Sequence, residues 1–141
     1  MTPEILNILL IDDSEDDNFF SHRAIAKSGV PASIAVCIDG RDAMSYLTGT
    51  EQYEDAGSQI PDLIFLDINM PRMDGWEFLD AYQRLPDWQK PVSVVVMLTT
   101  SMDANDAKRA RQLATVTGFL TKPLTPEYMI SIASEQFGYL P

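Results

Sequence analysis

The chain has 141 residues, of which 45% are hydrophobic and 9% aromatic. This composition is sufficient for one domain with a sizeable core, and it excludes a disordered or fibrous protein. Ten Lys and Arg residues against 21 Asp and Glu residues give a formal net charge of −11. An acidic chain repels phosphate backbones, and the sequence has no basic stripe that would offset this, so direct nucleic-acid binding is disfavoured.

Export and membrane insertion are not indicated either. The longest apolar stretches, Ile5–Ile11 and Val92–Leu98, are much shorter than the roughly 20 residues that span a bilayer. The N-terminus lacks the basic segment and apolar segment of an export signal, and we therefore expect a cytoplasmic protein. Cys37 is the single cysteine and lies in an apolar run, so we expect it to be a small buried hydrophobe.

Apolar runs rich in Ile, Val and Leu recur along the chain and predict five β-strands. The runs are Ile5–Ile11, Ser33–Ile38, Leu63–Leu66, Val92–Leu98 and Val116–Leu120. They are almost continuously apolar rather than alternating, which is typical of a parallel sheet with helices on both faces.

Helices are predicted between these strands from capping residues and spacing. Ser14 and Asp17 resemble a capping box that opens a helix ending near Ser28, before Gly29. A further helix follows Gly75 and ends at Pro86. Its apolar face carries Phe78, Tyr82 and Leu85.

Two more helices complete the pattern. One begins near Asn105, and its narrow apolar edge is formed by Ala107, Ala110 and Ala114. The last has Thr125 as its N-cap and Pro126 at its first position. One face of that helix carries Met129, Ile132, Ala133 and Phe137. Alternating strands and helices predict an α/β fold, a doubly wound open sheet forming a single domain over residues 1–141 with no output domain.

The segment Thr48–Pro61 is polar, contains two glycines and has no clear period. It is long for a connection in so small a domain. It is therefore either an insertion with its own role or an idle surface loop.

Polar residues follow the predicted strands at the edge where doubly wound sheets bind ligands. They are Asp12, Asp13, Asp67, Thr99 and Lys122. Three carboxylates in one crevice repel one another unless a cation lies among them. Hard oxygen ligands favour Mg²⁺, with Mn²⁺ as a substitute, and Mg²⁺ typically combines one or two carboxylates with a phosphate oxygen. Asp12 and Asp13 are the predicted ligands, together with Asp67.

Asp67 is the predicted nucleophile. An aspartate can form an aspartyl-phosphate when nearby positive charges offset the incoming oxygens. The Lys122 ammonium can pair with one phosphoryl oxygen, and the Thr99 hydroxyl can donate to another.

Four motifs stand in order at the predicted strand ends. They are LLIDD at Leu9–Asp13, LDINMPRMDG at Leu66–Gly75, LTTS at Leu98–Ser101 and FLTKP at Phe119–Pro123. Each is weak alone, but together they resemble the receiver domain of two-component response regulators, the CheY-like family. The resemblance covers essentially the whole chain.

The resemblance implies a five-stranded sheet in the order 2-1-3-4-5. It also implies Mg²⁺-dependent phosphotransfer onto Asp67 from a histidine kinase or histidine phosphotransfer protein, with slow self-catalysed dephosphorylation rather than enzymatic turnover. The main-chain carbonyl of Asn69 is then a metal ligand, and Thr99 with Phe119 forms the switch pair that alters binding of a downstream protein. Asn69 and Ser101 occupy positions that tune dephosphorylation in that family. A monomer or weak homodimer without membrane contact is expected.

The chain departs from the shortest receivers in two places. Thr48–Pro61 resembles the longer connection of stand-alone receivers that partner phytochrome-type and other sensor kinases. About one extra residue stands between the predicted switch threonine and Lys122. This leaves Thr99 and Thr100 as alternatives, and Thr99 is preferred because it directly follows the apolar strand.

Three other classes of protein compete with the receiver. A phosphohydrolase of the haloacid-dehalogenase type has an Asp-x-Asp motif after its first strand, which is absent from this sequence. A flavodoxin-like electron carrier needs a phosphate-binding loop there, but the acidic Ser14–Asp17 segment would repel the FMN phosphate. A pseudo-receiver that binds partners without phosphorylation remains the main alternative.

Overall fold

The computed structural model describes residues 4–56, 60–86, 94–100 and 103–141. Five parallel strands form one sheet in the order β2-β1-β3-β4-β5, which confirms the expected fold class. The strands are β1 (Leu6–Ile11), β2 (Ala32–Cys37), β3 (Leu63–Asp67), β4 (Val94–Thr99) and β5 (Val116–Thr121). The expected strands are all present, with ends shifted by one or two residues, and Val92 lies outside the described part of the chain.

Five α-helices alternate with these strands. They are α1 (Glu15–Ser28), α2 (Gly40–Thr48), α3 (Gly75–Gln83), α4 (Ala104–Arg111) and α5 (Pro126–Phe137). Helices α1 and α5 pack on one face of the sheet, and α2, α3 and α4 pack on the other. No helix among the described residues is both long enough and apolar enough to cross a membrane.

The central strands are buried because both faces are covered. Every residue of β3 and β4 is buried. Phe65 of β3 belongs to the core beneath α1 and α5, while Leu66 belongs to the core on the opposite face. Continuous apolarity in the sequence therefore reflects burial on two sides, as the strand pattern predicts.

The helix ends agree with the expected caps in most places. The Ser14 hydroxyl accepts a hydrogen bond from the Asp17 main-chain N–H, and Gly29 ends α1 in the left-handed conformation. The expected capping box is only half formed, because the Ser14 N–H donates to Asp12 Oδ1 at 2.9 Å and not to Asp17. Thr125 caps α5 with Pro126 at its start. The expected edge of α4 is partly wrong, because the helix ends at Arg111 and Ala114 is exposed beyond it.

The segment Thr48–Pro61 contains a 3₁₀ helix, Glu51–Ala56, which the sequence pattern did not predict. The Tyr53 hydroxyl of this helix donates to Asp42 Oδ1 at 2.8 Å and lies 3.8 Å from the Cys37 sulfur. Cys37 is fully buried, as expected. Part of the segment thus packs against the end of β2 and the start of α2.

Candidate functional site

The carboxyl ends of the strands bring four predicted residues to one edge of the sheet. Asp67 and Thr99 are the last residues of β3 and β4, while Asp12 and Lys122 directly follow β1 and β5. Main-chain hydrogen bonds continue the sheet at Asp12 and Lys122. The Asp12 N–H donates to the Cys37 carbonyl at 3.0 Å, and the Lys122 N–H donates to the Thr99 carbonyl at 2.7 Å. The crevice between β1 and β3 is the point where strand order reverses.

Three carboxylates meet in this crevice. One oxygen from each of Asp12, Asp13 and Asp67 lies within 4.8 Å of the others. Asp12 and Asp67 are buried, whereas Asp13 is exposed at the mouth. Because Asp12 and Asp67 are close together and buried away from water, their negative charges repel each other strongly.

The Lys122 ammonium lies among the carboxylates. Its Nζ is 2.7 Å from Asp12 Oδ2, 2.9 Å from Asp17 Oδ2 and 3.2 Å from Asp67 Oδ1. The Lys122 side chain is only 11% exposed, so these contacts are poorly screened by solvent. The peptide bond that joins Lys122 to Pro123 is cis.

The protonation equilibria reflect this crowding. Burial raises the pKa of the Asp67 carboxyl to about 6, the Asp12 charge adds to the rise, and the Lys122 ammonium opposes it. Burial by itself lowers the pKa of Lys122, but hydrogen bonds to Asp12 and Asp17 outweigh it and raise the pKa above its ordinary value. The lysine is therefore a permanent cation, and additional positive charge would favour the ionised form of Asp67.

The loop after β3 fixes the position of Asp67. The Gly75 N–H donates to the Ile68 carbonyl at 2.8 Å. A Cβ atom at Gly75 would lie 2.5 Å from the Asp67 carbonyl oxygen and 3.0 Å from the Ile68 Cα. The start of α3 thus contacts the main chain of the strand directly, and only glycine fits there.

A second link joins this loop to α2. The Arg72 guanidinium donates to Asp39 Oδ2, with the Nε atom at 2.6 Å. Asp39 is 1% exposed and also caps α2 by accepting from the Asp42 N–H at 2.9 Å. The loop is therefore held where it meets α3 and again at Arg72.

The expected switch residues belong to β4 and β5, the two strands on the far side of β3 from β1. Thr99 is 2% exposed, whereas Thr100 is exposed at the surface, so Thr99 has the environment expected of a residue in the crevice. Phe119 of β5 is half-buried against the core beneath α2, α3 and α4. Asn69 is exposed just after β3. Ser101 lies outside the described residues.

The sequence reasoning missed two groups. Asp17 was expected only as a capping residue, but its carboxylate contacts Lys122, 105 positions away in the chain. The ion pair of Arg72 with Asp39 was not expected at all. Neither contact has a local signal in the sequence. Asp17 is one of several consecutive acidic residues, and Arg72 lies in a loop without a periodic pattern.

The donor set fits a hard divalent cation. Three carboxylate oxygens within 4.8 Å of one another, in a crevice open at Asp13, match the oxygen-only coordination and partial hydration that Mg²⁺ and Mn²⁺ prefer. The described part of the chain brings no histidine or cysteine into this cluster, so a site for softer metals is disfavoured.

Comparisons with known proteins identify the family of the chain. Residues 8–134 match the family model for the response regulator receiver domain. Response regulator Rcp1 of Synechocystis is 35% identical over 115 residues, which cover 82% of this chain and 75% of Rcp1.

Solved structures give the same result. The Mn²⁺-bound form of Rcp1 superposes with a TM-score of 0.76 at 30% identity, covering 96% of this chain and 97% of that one. The phosphorylated cyanobacterial phytochrome response regulator RcpA superposes with a TM-score of 0.73 at 31% identity, covering 94% and 93% of the two chains. The chain therefore belongs to the response regulator receiver domain family.

Proposed function

We propose that this receiver domain takes a phosphoryl group onto Asp67 in a reaction that depends on Mg²⁺. The observation that carries the proposal is the insertion of the Lys122 ammonium between Asp12 and Asp67, at 2.7 and 3.2 Å, beside the open carboxylate of Asp13. This arrangement holds positive charge where phosphoryl oxygens would arrive on Asp67. The solved structures of an Mn²⁺-bound and a phosphorylated relative support the same proposal.

The chemistry assigned to the chain is a displacement at phosphorus. A carboxylate oxygen of Asp67 forms the new P–O bond while the bond from phosphorus to the donor atom breaks, and the donor leaves with that electron pair. Asp12, Asp13, Asp67 and the main-chain carbonyl of Asn69 are the groups that would hold Mg²⁺. The bound ion supplies positive charge beside the transferring oxygens.

Lys122 and Thr99 bind the phosphoryl group once it is attached. The ammonium pairs with one oxygen as a point charge, and the hydroxyl donates to another. Movement of Thr99 toward the phosphoryl group leaves space that the half-buried ring of Phe119 can fill. The surface around β5 then changes, and with it the affinity for a downstream protein.

The phosphodonor is proposed to be a histidine kinase or a histidine phosphotransfer protein. RcpA is a phytochrome response regulator, so kinases of phytochrome-type sensors are the first class of partner to test. A small donor such as acetyl phosphate should replace the kinase, because the groups that stabilise the transferring phosphoryl belong to the receiver itself.

The test is the intact-protein mass after incubation with acetyl phosphate, with and without Mg²⁺. We expect wild type to gain one phosphoryl group only with Mg²⁺, and Asp67→Asn to gain none. Asp80→Asn removes an exposed aspartate of α3 and is the matched control, which should be labelled like wild type. A wild-type protein that stays unmodified with Mg²⁺ and donor would instead identify a pseudo-receiver.

A further inference from the structure

Among the described residues, the Lys122 ammonium forms ion pairs with three carboxylates, and it donates hydrogen bonds to Asp12 and Asp17. Two of the three carboxylates, Asp12 and Asp67, belong to the acidic cluster that fits a divalent cation. The third, Asp17, lies outside that cluster, with its Oδ2 atom 2.9 Å from Nζ. Of the three carboxylates that pair with Lys122 in the described part of the chain, Asp17 is therefore the one that would not also bind a cation in the cluster.

The position of Asp17 makes this contact unusual. It is the third residue of α1, where an acidic side chain commonly completes a capping box. Glu77 does so at the equivalent position of α3, accepting from the Asp74 N–H at 3.1 Å. In α1 the corresponding Ser14 N–H instead donates to Asp12 Oδ1 at 2.9 Å. The carboxylate of Asp17 is thereby left for Lys122.

The main chain holds Asp17 firmly in that place. Its N–H donates to the Ser14 hydroxyl at 3.1 Å, and the start of a helix favours a negative charge. The carboxylate is 34% exposed, whereas the Lys122 side chain is 11% exposed. Asp17 therefore contacts the ammonium from the solvent side of the crevice.

We infer that Asp17 is a positioning residue, which keeps the Lys122 ammonium directed at Asp67 when a divalent cation occupies the carboxylate cluster. The inference rests on the proposed function of Asp67. A cation bound by Asp12 and Asp67 would repel the ammonium and draw away two of its acceptors. Asp17 offsets this repulsion, so that a cation and an ammonium can both stand beside the same nucleophile.

The inference is tested with Asp17→Asn, Asp17→Glu and Asp16→Asn. Asp16 is exposed on the same turn of α1, so Asp16→Asn removes an equal charge without removing a contact to Lys122. With saturating Mg²⁺ and acetyl phosphate, we expect Asp17→Asn to be labelled about fivefold more slowly than Asp16→Asn, the effect of an ion pair of about 1 kcal/mol. Asp17→Glu should recover most of the rate because it restores the carboxylate.

A second readout requires neither metal nor donor. Hydrogen exchange of the Lys122 ammonium protons, followed by ¹⁵N-detected NMR and assigned with Lys122→Arg, reports directly on the acceptors of Nζ. We expect exchange to be several-fold faster in Asp17→Asn than in Asp16→Asn.

The outcomes separate the two proposals. If wild type is labelled, and the two asparagine variants agree within twofold in labelling and in ammonium exchange, the role of Asp17 is overturned and the proposed function stands. A wild-type protein that takes no label overturns the proposed function and this inference with it. Slow labelling of Asp17→Asn with recovery in Asp17→Glu supports both.

Discussion

Replacing Gly75 by alanine should displace the strand end that carries Asp67. The new Cβ would lie 2.5 Å from the Asp67 carbonyl oxygen and 3.0 Å from the Ile68 Cα. Both neighbours are main-chain atoms and cannot turn aside as a side chain could. Ordinary contact needs about 3.5 Å, so α3 and the end of β3 must separate by roughly 1 Å.

The magnitude follows from two opposing terms. Overpacking of this kind typically costs about 1–3 kcal/mol of stability. We expect a cost of about 3 kcal/mol, because the new Cβ meets main-chain atoms, which cannot move aside as a side chain can. Alanine gains up to about 1 kcal/mol over glycine in a helix. We therefore expect Gly75→Ala to lower the free energy of unfolding by about 2 kcal/mol. A displacement of about 1 Å at the nucleophile should also slow phosphoryl labelling by on the order of 10- to 100-fold.

Gly29→Ala is the matched control for this prediction. Gly29 has a φ of +79°, and a Cβ atom added there would have no neighbouring atom within 4 Å. Alanine at this position therefore costs about 1–2 kcal/mol in backbone conformation alone. Urea unfolding should show a lower midpoint for both variants, whereas labelling by acetyl phosphate should slow only in Gly75→Ala. A Gly75→Ala protein with the wild-type midpoint and labelling rate would refute the reasoning.

Two further predictions concern groups outside the crevice. Burial raises the pKa of Cys37 to about 12, with the Asp42 charge adding to the rise, so the thiolate is disfavoured at ordinary pH. Native protein at pH 8 should resist iodoacetamide while urea-unfolded protein reacts fully, and equal rates would contradict the burial argument. Arg72→Ala removes the cationic partner of buried Asp39 and should cost about 1–3 kcal/mol in urea unfolding. Arg84→Ala, which breaks an exposed pair, should cost less than about 0.5 kcal/mol; equal losses would show that burial of the aspartate does not matter.

Local signals in the sequence were sufficient for the fold class and for the proximity of several candidate site residues. Continuous apolar runs predicted buried parallel strands, and the order of strands and helices predicted a doubly wound sheet. Asp12, Asp67 and Lys122 could be placed together because parallel strands end at a common edge, and the structure brings all three into contact. Caps such as Ser14 and Thr125 were predictable because they act within one turn of their own helix.

Other features could be decided only by the tertiary structure. The 3₁₀ helix Glu51–Ala56 has no periodic pattern, and its Tyr53 is held by Asp42. The ends of α4 depended on packing, since Ala114 fitted the helical spacing but lies beyond the helix.

The contact between Asp17 and Lys122 shows why such features escape sequence reasoning. An acidic residue at the third position of a helix fits a capping box, and the sequence indicates nothing further. Which partner the carboxylate takes depends on whether an ammonium 105 positions away arrives within hydrogen-bonding distance. Charged side chains reach their partners through space, and only the tertiary fold brings the start of α1 to the residue that follows β5.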